Sequence, residues 1–183
     1  MKNKGFTLIE LIVVIAIIAI LAAIIAPNAF KAIEKSKVAS SIEDCRSIKT
    51  AVMSFYSDCG IWPTSSASAG AAPNGIAATP TATIAGWDGP YIEKWPPLAR
   101  WSGNYSYYAA ADENANVGSY AWDGTAGAPQ PNTRVITIST VPLAAEQKME
   151  TQLDGTASPG ATQTTGGFRY SSTANVYYLI SQD

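Results

Sequence analysis

Residues 4–26 read KGFTLIELIVVIAIIAILAAIIA, and this stretch decides the fold of the chain. From its phenylalanine onwards, the only polar side chains are Thr7 and Glu10. A helix of about 20 apolar residues crosses the hydrocarbon core of a bilayer, so the stretch is just long enough to span one. Lys2 and Lys4 precede the apolar segment that begins at Phe6, and a short basic flank marks the end that stays in the cytoplasm. The sequence therefore predicts a single-pass anchor with the rest of the chain on the other side of the membrane.

The pattern after Pro27 is that of an amphipathic helix. Apolar residues recur every three to five positions, and charged residues fill the other faces. The apolar set is Phe30, Ile33, Val38, Ile42, Cys45, Ile48, Val52, Phe55 and Cys59. No glycine occurs from residue 6 to 58. Because Pro27 can kink a helix without ending it, we predict one helix of about 53 residues, ~80 Å long. Its first half, residues 6–27, must lie in lipid or in a filament core, and its second half, residues 28–59, must pack against a domain.

Glycine and aromatic residues mark the region that follows. Gly60 is expected to end the helix as a C-cap. Residues 64–86 are mostly Ser, Thr, Ala, Gly and Pro, which predicts an irregular surface loop. Tryptophan and tyrosine then become frequent, with turn signals between them at Asp88-Gly89-Pro90 and Gly103-Asn104. We therefore treat residues 60–104 as a loop and aromatic turn region.

The last part of the chain, residues 105–183, has the pattern of a small sheet with one short helix and a C-terminal tail. Short alternating runs predict strands at Tyr105–Ala109, Arg134–Ser139, Phe168–Ser171 and Asn175–Ile180. Pro142 to Leu153 predicts the short helix, ended by Asp154-Gly155. A small antiparallel sheet needs an apolar partner on one face, which the amphipathic half of the long helix supplies. The predicted fold class is α+β: a long N-terminal α-helix packed on a small antiparallel β-sheet.

The two cysteines, Cys45 and Cys59, raise the question of a disulfide. An oxidising compartment would permit them to pair. If both lie on one continuous helix, however, their separation of fourteen positions places their Cα atoms about 21 Å apart, far beyond the ~7 Å limit for a bridge. We expect two small core residues on one helix face. A bridge would require the helix to end well before Cys59.

Composition argues against two classes of function. The chain has no histidine, no Gly-x-Ser-x-Gly and no phosphate-cradling loop, so we do not expect an enzyme. The net charge is −2, and residues 60–183 hold five Lys/Arg against nine Asp/Glu. An acidic distal part fits a solvated surface, and no basic face predicts nucleic-acid binding.

The motif Lys4-Gly5-Phe6-Thr7-Leu8-Ile9-Glu10, followed by the apolar run and Pro27, closely resembles the class III signal of type IV prepilins and pseudopilins. The resemblance implies that residues 1–5 are a leader peptide. It further implies that a prepilin peptidase cleaves between Gly5 and Phe6 and methylates the new amino group of Phe6.

Two further residues of the anchor take roles from the same resemblance. Glu10 would meet the N-terminal ammonium of a neighbouring subunit during assembly. An acidic residue inside a membrane span costs roughly 2.5–3.5 kcal/mol at the helix centre, so Glu10 needs a partner unless the headgroups solvate it. Pro27 would mark a kink or a stretch that melts on assembly, although many transmembrane helices contain a proline without a specific purpose.

The distal half looks like the major pseudopilin of type II secretion in two places. Tyr56, Asp58, Gly60, Trp62 and Pro63 look like its helix end and following turn. The segments 87–92 and 101–105 look like its aromatic turn region. The chain departs from that pattern because Ala99-Arg100 replaces the usual Asp-Pro, and its tail after Asn132 is longer.

Members of that group can bind calcium in a distal loop through carboxylates and carbonyls. The candidate ligands in this chain are Asp112, Glu113, Asn114, Asn116 and Asp123. Oxygen ligands close together in sequence suit Ca²⁺. The run D-E-N-A-N is not an EF-hand loop, and acidic loop residues are usually just solvated. No other cofactor is expected.

The resemblance implies a structural subunit of an extracytoplasmic filament, either a type II secretion pseudopilus or a type IV pilus. Such a subunit is stored in the bacterial inner membrane with its C-terminal domain in the periplasm. Its partners would be further copies of the chain, the prepilin peptidase, the inner-membrane assembly platform, minor pilins or pseudopilins, and membrane lipid.

A secreted binding protein with a conventional signal peptide is the rival interpretation. A basic start, an apolar run and small residues at Ala22-Ala23 or Ala26 fit such a peptide. Glu10 inside the apolar region counts against it, and so does the amphipathic helix that follows at once.

Overall fold

The fold was obtained as a computed structural model that describes residues 6–66, 68, 70–96, 98–109, 133–155, 167–170 and 175–182. Two helices and four strands lie in these residues: α1 (Leu8–Cys59), β1 (Tyr105–Tyr108), β2 (Thr133–Ile138), α2 (Leu143–Leu153), β3 (Phe168–Tyr170) and β4 (Val176–Gln182). The chain divides into two compact units, Met1–Lys37 and Val38–Asp183. The α+β class is confirmed.

Helix α1 runs unbroken through Pro27, as the sequence predicted. At its other end Gly60 takes a left-handed φ of 67°, and its amide donates to the Tyr56 carbonyl at 2.9 Å. Glycine adopts this conformation without steric cost, which is why the helix ends here. Among the described residues, α1 is the one helix long and apolar enough to cross a membrane.

The first unit contains the uncovered part of α1. None of the described residues from 6 to 37 is buried. The apolar side chains of residues 8–25 point outward all round the helix and are roughly half exposed or more. A helix that is apolar on every face is stable only in lipid or among helices of its own kind.

The second unit holds the hydrophobic core. The α1 side chains that recur from Val38 onward are buried in it: Val38, Ile42, Cys45, Ile48, Val52 and Phe55. They share one cluster with apolar residues from the sheet and α2, including Tyr105, Tyr107, Ile136, Met149 and Phe168. The part of the amphipathic half of α1 from Val38 onward therefore packs against the sheet and α2.

The sheet has four strands in the order β1-β2-β4-β3, and each neighbouring pair is antiparallel. Tyr105 pairs with Ile138, and Phe168 pairs with Tyr178. The pairing of β2 with β4 shifts register between Arg134 and Val135. Strand β4 lies between β2 and β3 and pairs with both of them, so it connects β3 to the β1–β2 pair.

Two residues at the start of the amphipathic pattern contradict the prediction. Phe30 and Ile33 were expected on the buried face, yet they are 71% and 53% exposed. The first buried residue of α1 is Val38, about 12 Å further along the helix than Phe30. The periodicity is helical throughout, but the domain core begins only at Val38.

The loop predicted at residues 64–86 is irregular but is not wholly on the surface. Its described residues form turns, as expected, while Ile76 is fully buried. The Ile76 carbonyl accepts the amide of Tyr91 at 2.8 Å, and Trp87 Nε1 donates to the Gly75 carbonyl at 2.8 Å. These bonds tie a loop of small residues to the aromatic turn region, so it joins the core despite its low apolar content.

Both cysteines lie on α1 and are unpaired, in agreement with the distance argument. Cys45 is fully buried and Cys59 is partly buried against the same core. Desolvation raises the pKa of the Cys45 thiol well above its usual range. Cys45 is therefore an unreactive core residue.

Candidate functional site

The start of α1 is organised by reciprocal hydrogen bonds between Thr7 and Glu10. Glu10 Oε2 accepts the Thr7 amide at 2.8 Å and the Thr7 hydroxyl at 2.6 Å. In return the Glu10 amide donates to Thr7 Oγ1 at 3.3 Å. This is a capping box, in which two free amides of a helix start are satisfied by side chains three residues apart.

The surroundings of the Glu10 carboxylate are apolar. Phe6, Ile9, Val13 and Val14 line an open depression together with Glu10. The carboxylate is exposed, and both of its hydrogen bonds to Thr7 use the same oxygen, Oε2. The site can therefore accept a further donor from outside the chain. Its chemistry suits a cation that brings apolar surface with it, because a lone charge in such a setting is costly.

The structure places the residues predicted from the motif as follows. Phe6 and Glu10 lie together at the start of α1, and Pro27 lies within the same helix. Gly5 falls outside the described residues, as do all five calcium candidates: Asp112, Glu113, Asn114, Asn116 and Asp123. The role of Thr7 was missed, although the spacing Thr-x-x-Glu before an apolar run signals a capping box.

A second polar cluster fixes the aromatic turn region to α1. Asp44 Oδ2 accepts the Tyr105 hydroxyl at 2.9 Å and pairs with Arg100 Nη2 at 3.3 Å. Desolvation raises the pKa of Tyr105, which stays neutral and acts as a donor. Arg100 is one of the residues that depart from the pseudopilin pattern. In this chain it supplies a cation where that pattern has a proline.

Trp62 secures the turn that follows α1. Its ring stacks on Tyr56 at 4.0 Å between centroids, and the Arg134 guanidinium lies 4.3 Å from its centroid. Stacking and cation–π contacts contribute on the order of 1 kcal/mol each. Trp62 therefore links the end of α1 to β2.

Glu146 on α2 is a buried carboxyl that no sequence motif singles out. It is 1% exposed, and its Oε1 has no hydrogen-bond partner in the part of the chain that the structure describes. Desolvation raises its pKa from the ordinary value of 4.5 to about 7. Glu150, one turn further along α2, is also buried.

Replacing Glu146 with glutamine is expected to stabilise the protein at alkaline pH. The folded chain holds the Glu146 proton between pH 4.5 and about 7, while the unfolded chain has lost it. The free energy of unfolding therefore falls as pH rises through this window. At pH 8 we expect Glu146→Gln to be more stable by on the order of 3 kcal/mol, and at pH 4 to be unchanged.

Thermal unfolding of the detergent-solubilised chain, followed by near-ultraviolet circular dichroism from pH 4 to 8, measures this difference. Glu43→Gln is the matched control because the Glu43 side chain is 75% exposed. An identical pH slope for Glu146→Gln and the unmodified chain would contradict the assignment.

The arrangement as a whole defines a class of protein. An apolar, uncovered helix that starts with a capped glutamate and continues into a small α+β domain is the architecture of a filament subunit anchored by its N-terminus. Comparison with known proteins gives the particular family. The prokaryotic N-terminal methylation motif matches residues 1–26, and the C-terminal family of PilW matches residues 32–120.

Two curated relatives agree with these matches. The fimbrial protein EcpC of Eikenella corrodens is 36% identical over 129 residues, which cover 69% of this chain and 84% of that protein. The type IV major pilin protein PilE of Neisseria gonorrhoeae is 45% identical over 70 residues, 38% of this chain and 42% of that protein. No solved structure matches significantly. The chain belongs to the type IV pilin superfamily.

Proposed function

We propose that the chain is a structural subunit of an extracytoplasmic type IV pilus. The observation that carries the proposal is the capped Glu10 at the start of a helix in which residues 6–37 are unburied. The part of this surface that is apolar on all sides, up to Ala26, needs lipid before assembly and other helices after it. The subunit has a structural and not a catalytic role, in keeping with relatives described as a fimbrial protein and a major pilin.

A pilus is favoured over a type II secretion pseudopilus for two reasons. Both relatives are named for pili or fimbriae. The second reason is the ion pair of Arg100 with Asp44 at 3.3 Å, which attaches the aromatic turn region to α1. The pseudopilin pattern has a proline at this position and cannot form this pair.

The proposed pathway begins with a single-pass subunit in the inner membrane. Lys2 and Lys4 remain in the cytoplasm with the leader peptide, as the methylation motif of residues 1–26 implies, and the second unit lies in the periplasm. A prepilin peptidase removes residues 1–5 and methylates the amino group of Phe6. The assembly platform then brings the subunit into a filament of further copies, together with minor pilins.

The Thr7–Glu10 capping box has a role at each stage of this pathway. In the stored subunit, the bonds at 2.8 and 2.6 Å stabilise the Glu10 carboxylate within the lipid. In the filament, the Phe6 ammonium of a neighbouring copy adds the positive charge that Thr7 cannot supply. Glu10 thus stabilises the axial position of a subunit in which its carboxylate lies next to the Phe6 ammonium of the neighbouring copy.

The pilus assignment is tested by shearing filaments from cells that express the chain. We expect the chain in the sheared high-molecular-weight fraction and its loss from that fraction when the prepilin peptidase is absent. Recovery of the chain only as a soluble secreted monomer would support the signal-peptide interpretation instead. Filaments that remain periplasmic and cannot be sheared would identify a pseudopilus.

We also propose that a calcium ion binds to the segment 112–123, held by residues among Asp112, Glu113, Asn114, Asn116 and Asp123. A bound ion raises the free energy of unfolding by RT ln(1 + [L]/Kd). At about 10 mM calcium, well above the ~10⁻³ M dissociation constants of weak extracellular sites, we expect a higher melting temperature than with a chelator. The double variant Asp112→Asn, Asp123→Asn should lose the difference. Equal melting temperatures for the unmodified chain would show that the site does not exist.

A further inference from the structure

The segment of α1 just beyond the apolar run carries an exposed set of apolar and basic side chains. Phe30 and Ile33 are 71% and 53% exposed, and Lys31 and Lys35 are exposed on the same two turns. We call these four residues the collar. Residues 28–37 hold three lysines against one glutamate, so the segment has a positive balance.

The position of the collar along α1 fits the outer headgroup layer of a bilayer. If Leu8 lies at the inner edge of the hydrocarbon core, the apolar run ends at Ala26, about 27 Å further on, close to the ~30 Å thickness of that core. Phe30 is then about 33 Å and Lys35 about 40 Å from the same edge. A headgroup layer adds roughly 5–7 Å to the core, so the collar begins inside the outer headgroup layer and ends at its outer edge. The buried part of α1 begins beyond it, at Val38.

The collar has the chemistry that this layer favours. An aromatic ring is stable at the boundary between acyl chains and headgroups. Lysine buries its alkyl stem along apolar surface while its ammonium reaches the phosphates. We propose that the collar is a docking surface for the anionic phospholipid headgroups of the outer leaflet, which hold the stored subunit at a fixed depth. This inference rests on the membrane-stored state in the proposed function.

Charge distinguishes lipid from the rival occupant, a second copy of the chain. The collar of a neighbouring copy would carry the same positive balance and repel this one. The acidic distal part of a neighbouring copy is the other rival occupant, because residues 60–183 hold nine Asp/Glu against five Lys/Arg. Lipid headgroups reach all faces of the helix, whereas the distal part of one neighbouring copy would cover a single face. Phe30, Lys31, Ile33 and Lys35 extend around more than one face.

The test is amine footprinting of the full chain in vesicles. The chain is reconstituted either in phosphatidylcholine alone or in phosphatidylcholine with a quarter phosphatidylglycerol. A membrane-impermeant acylating reagent is added, and mass spectrometry measures labelling at each lysine. Lys94 and Lys148 are exposed and serve as internal controls on the same side of the membrane.

We expect Lys31 and Lys35 to react roughly fivefold more slowly, relative to the controls, when phosphatidylglycerol is present. About 0.5 M salt should remove most of this protection, because it shortens the screening length to a few ångströms. Equal ratios in both kinds of vesicle would overturn the proposal. Protection that rises with protein density but ignores lipid charge would overturn it in favour of a second copy.

Failure of the inference is distinguishable from failure of the proposed function. A chain that alkaline carbonate extracts from the vesicles is not an integral membrane subunit, and the proposed function fails. A chain that resists extraction but shows no protection at Lys31 and Lys35 keeps the proposed function and loses only the collar.

Discussion

Replacing Glu10 with alanine is expected to reduce filament yield to background while the stored subunit stays folded and processed. Glu10 is exposed, and its hydrogen bonds to Thr7 lie within the first turn of α1. The substitution therefore removes no contact from the core, which begins at Val38. It removes the carboxylate that we propose pairs with the Phe6 ammonium of the next subunit. Quantitative immunoblotting of sheared filaments against total membranes measures the effect.

Glu10→Gln is the matched control for this experiment. Glutamine at the same position preserves the capping box, because its amide oxygen still accepts the Thr7 donors. It removes only the charge. We expect the same loss of filaments as with alanine. Normal yield from Glu10→Gln would assign Glu10 a capping role alone, and normal yield from Glu10→Ala would reject any role in assembly.

Removing residues 1–28 is expected to turn the chain into a soluble, folded and largely monomeric domain. The removed part contains none of the buried residues of α1, so the core of the second unit loses nothing. It does contain the helix surface that is apolar on all sides, which our account assigns to polymerisation. Sedimentation velocity of residues 29–183 at moderate concentration tests this expectation.

Phe30 and Ile33 remain exposed in that fragment, so a second version with Phe30→Ser and Ile33→Ser is the control. Weak association that disappears in the control would come from these two side chains. Spontaneous filaments or large oligomers of both fragments would show that the distal domains carry the assembly contacts. In that case our division of roles along α1 would be wrong.

The sequence predicted the helices and strands well because their signals are local. Helix α1 follows from an apolar run and a continuous 3.6-residue period without glycine, and Gly60 ends it. The strands follow from short alternating runs, and their ends differ by one or two residues from those expected. The capping box is equally local, since it depends on only two residues at a fixed spacing, but it was not predicted.

The features that were missed depend on contacts between distant parts of the chain. The Asp44–Arg100 pair joins residues 56 positions apart, and neither residue signals the other. Ile76 is buried because the aromatic turn region folds over it, which no local composition reveals. Phe30 and Ile33 continue the helical period, but only the extent of the domain decides where burial starts.

The most direct test of the proposed function is the mass of the N-terminal peptide from assembled filaments. We expect a mature chain that begins at Phe6 with a methylated amino group, since in the proposed assembly cleavage creates the cation that pairs with Glu10. An intact Met1 in assembled material, or a mature chain that begins near Ala26, would contradict it.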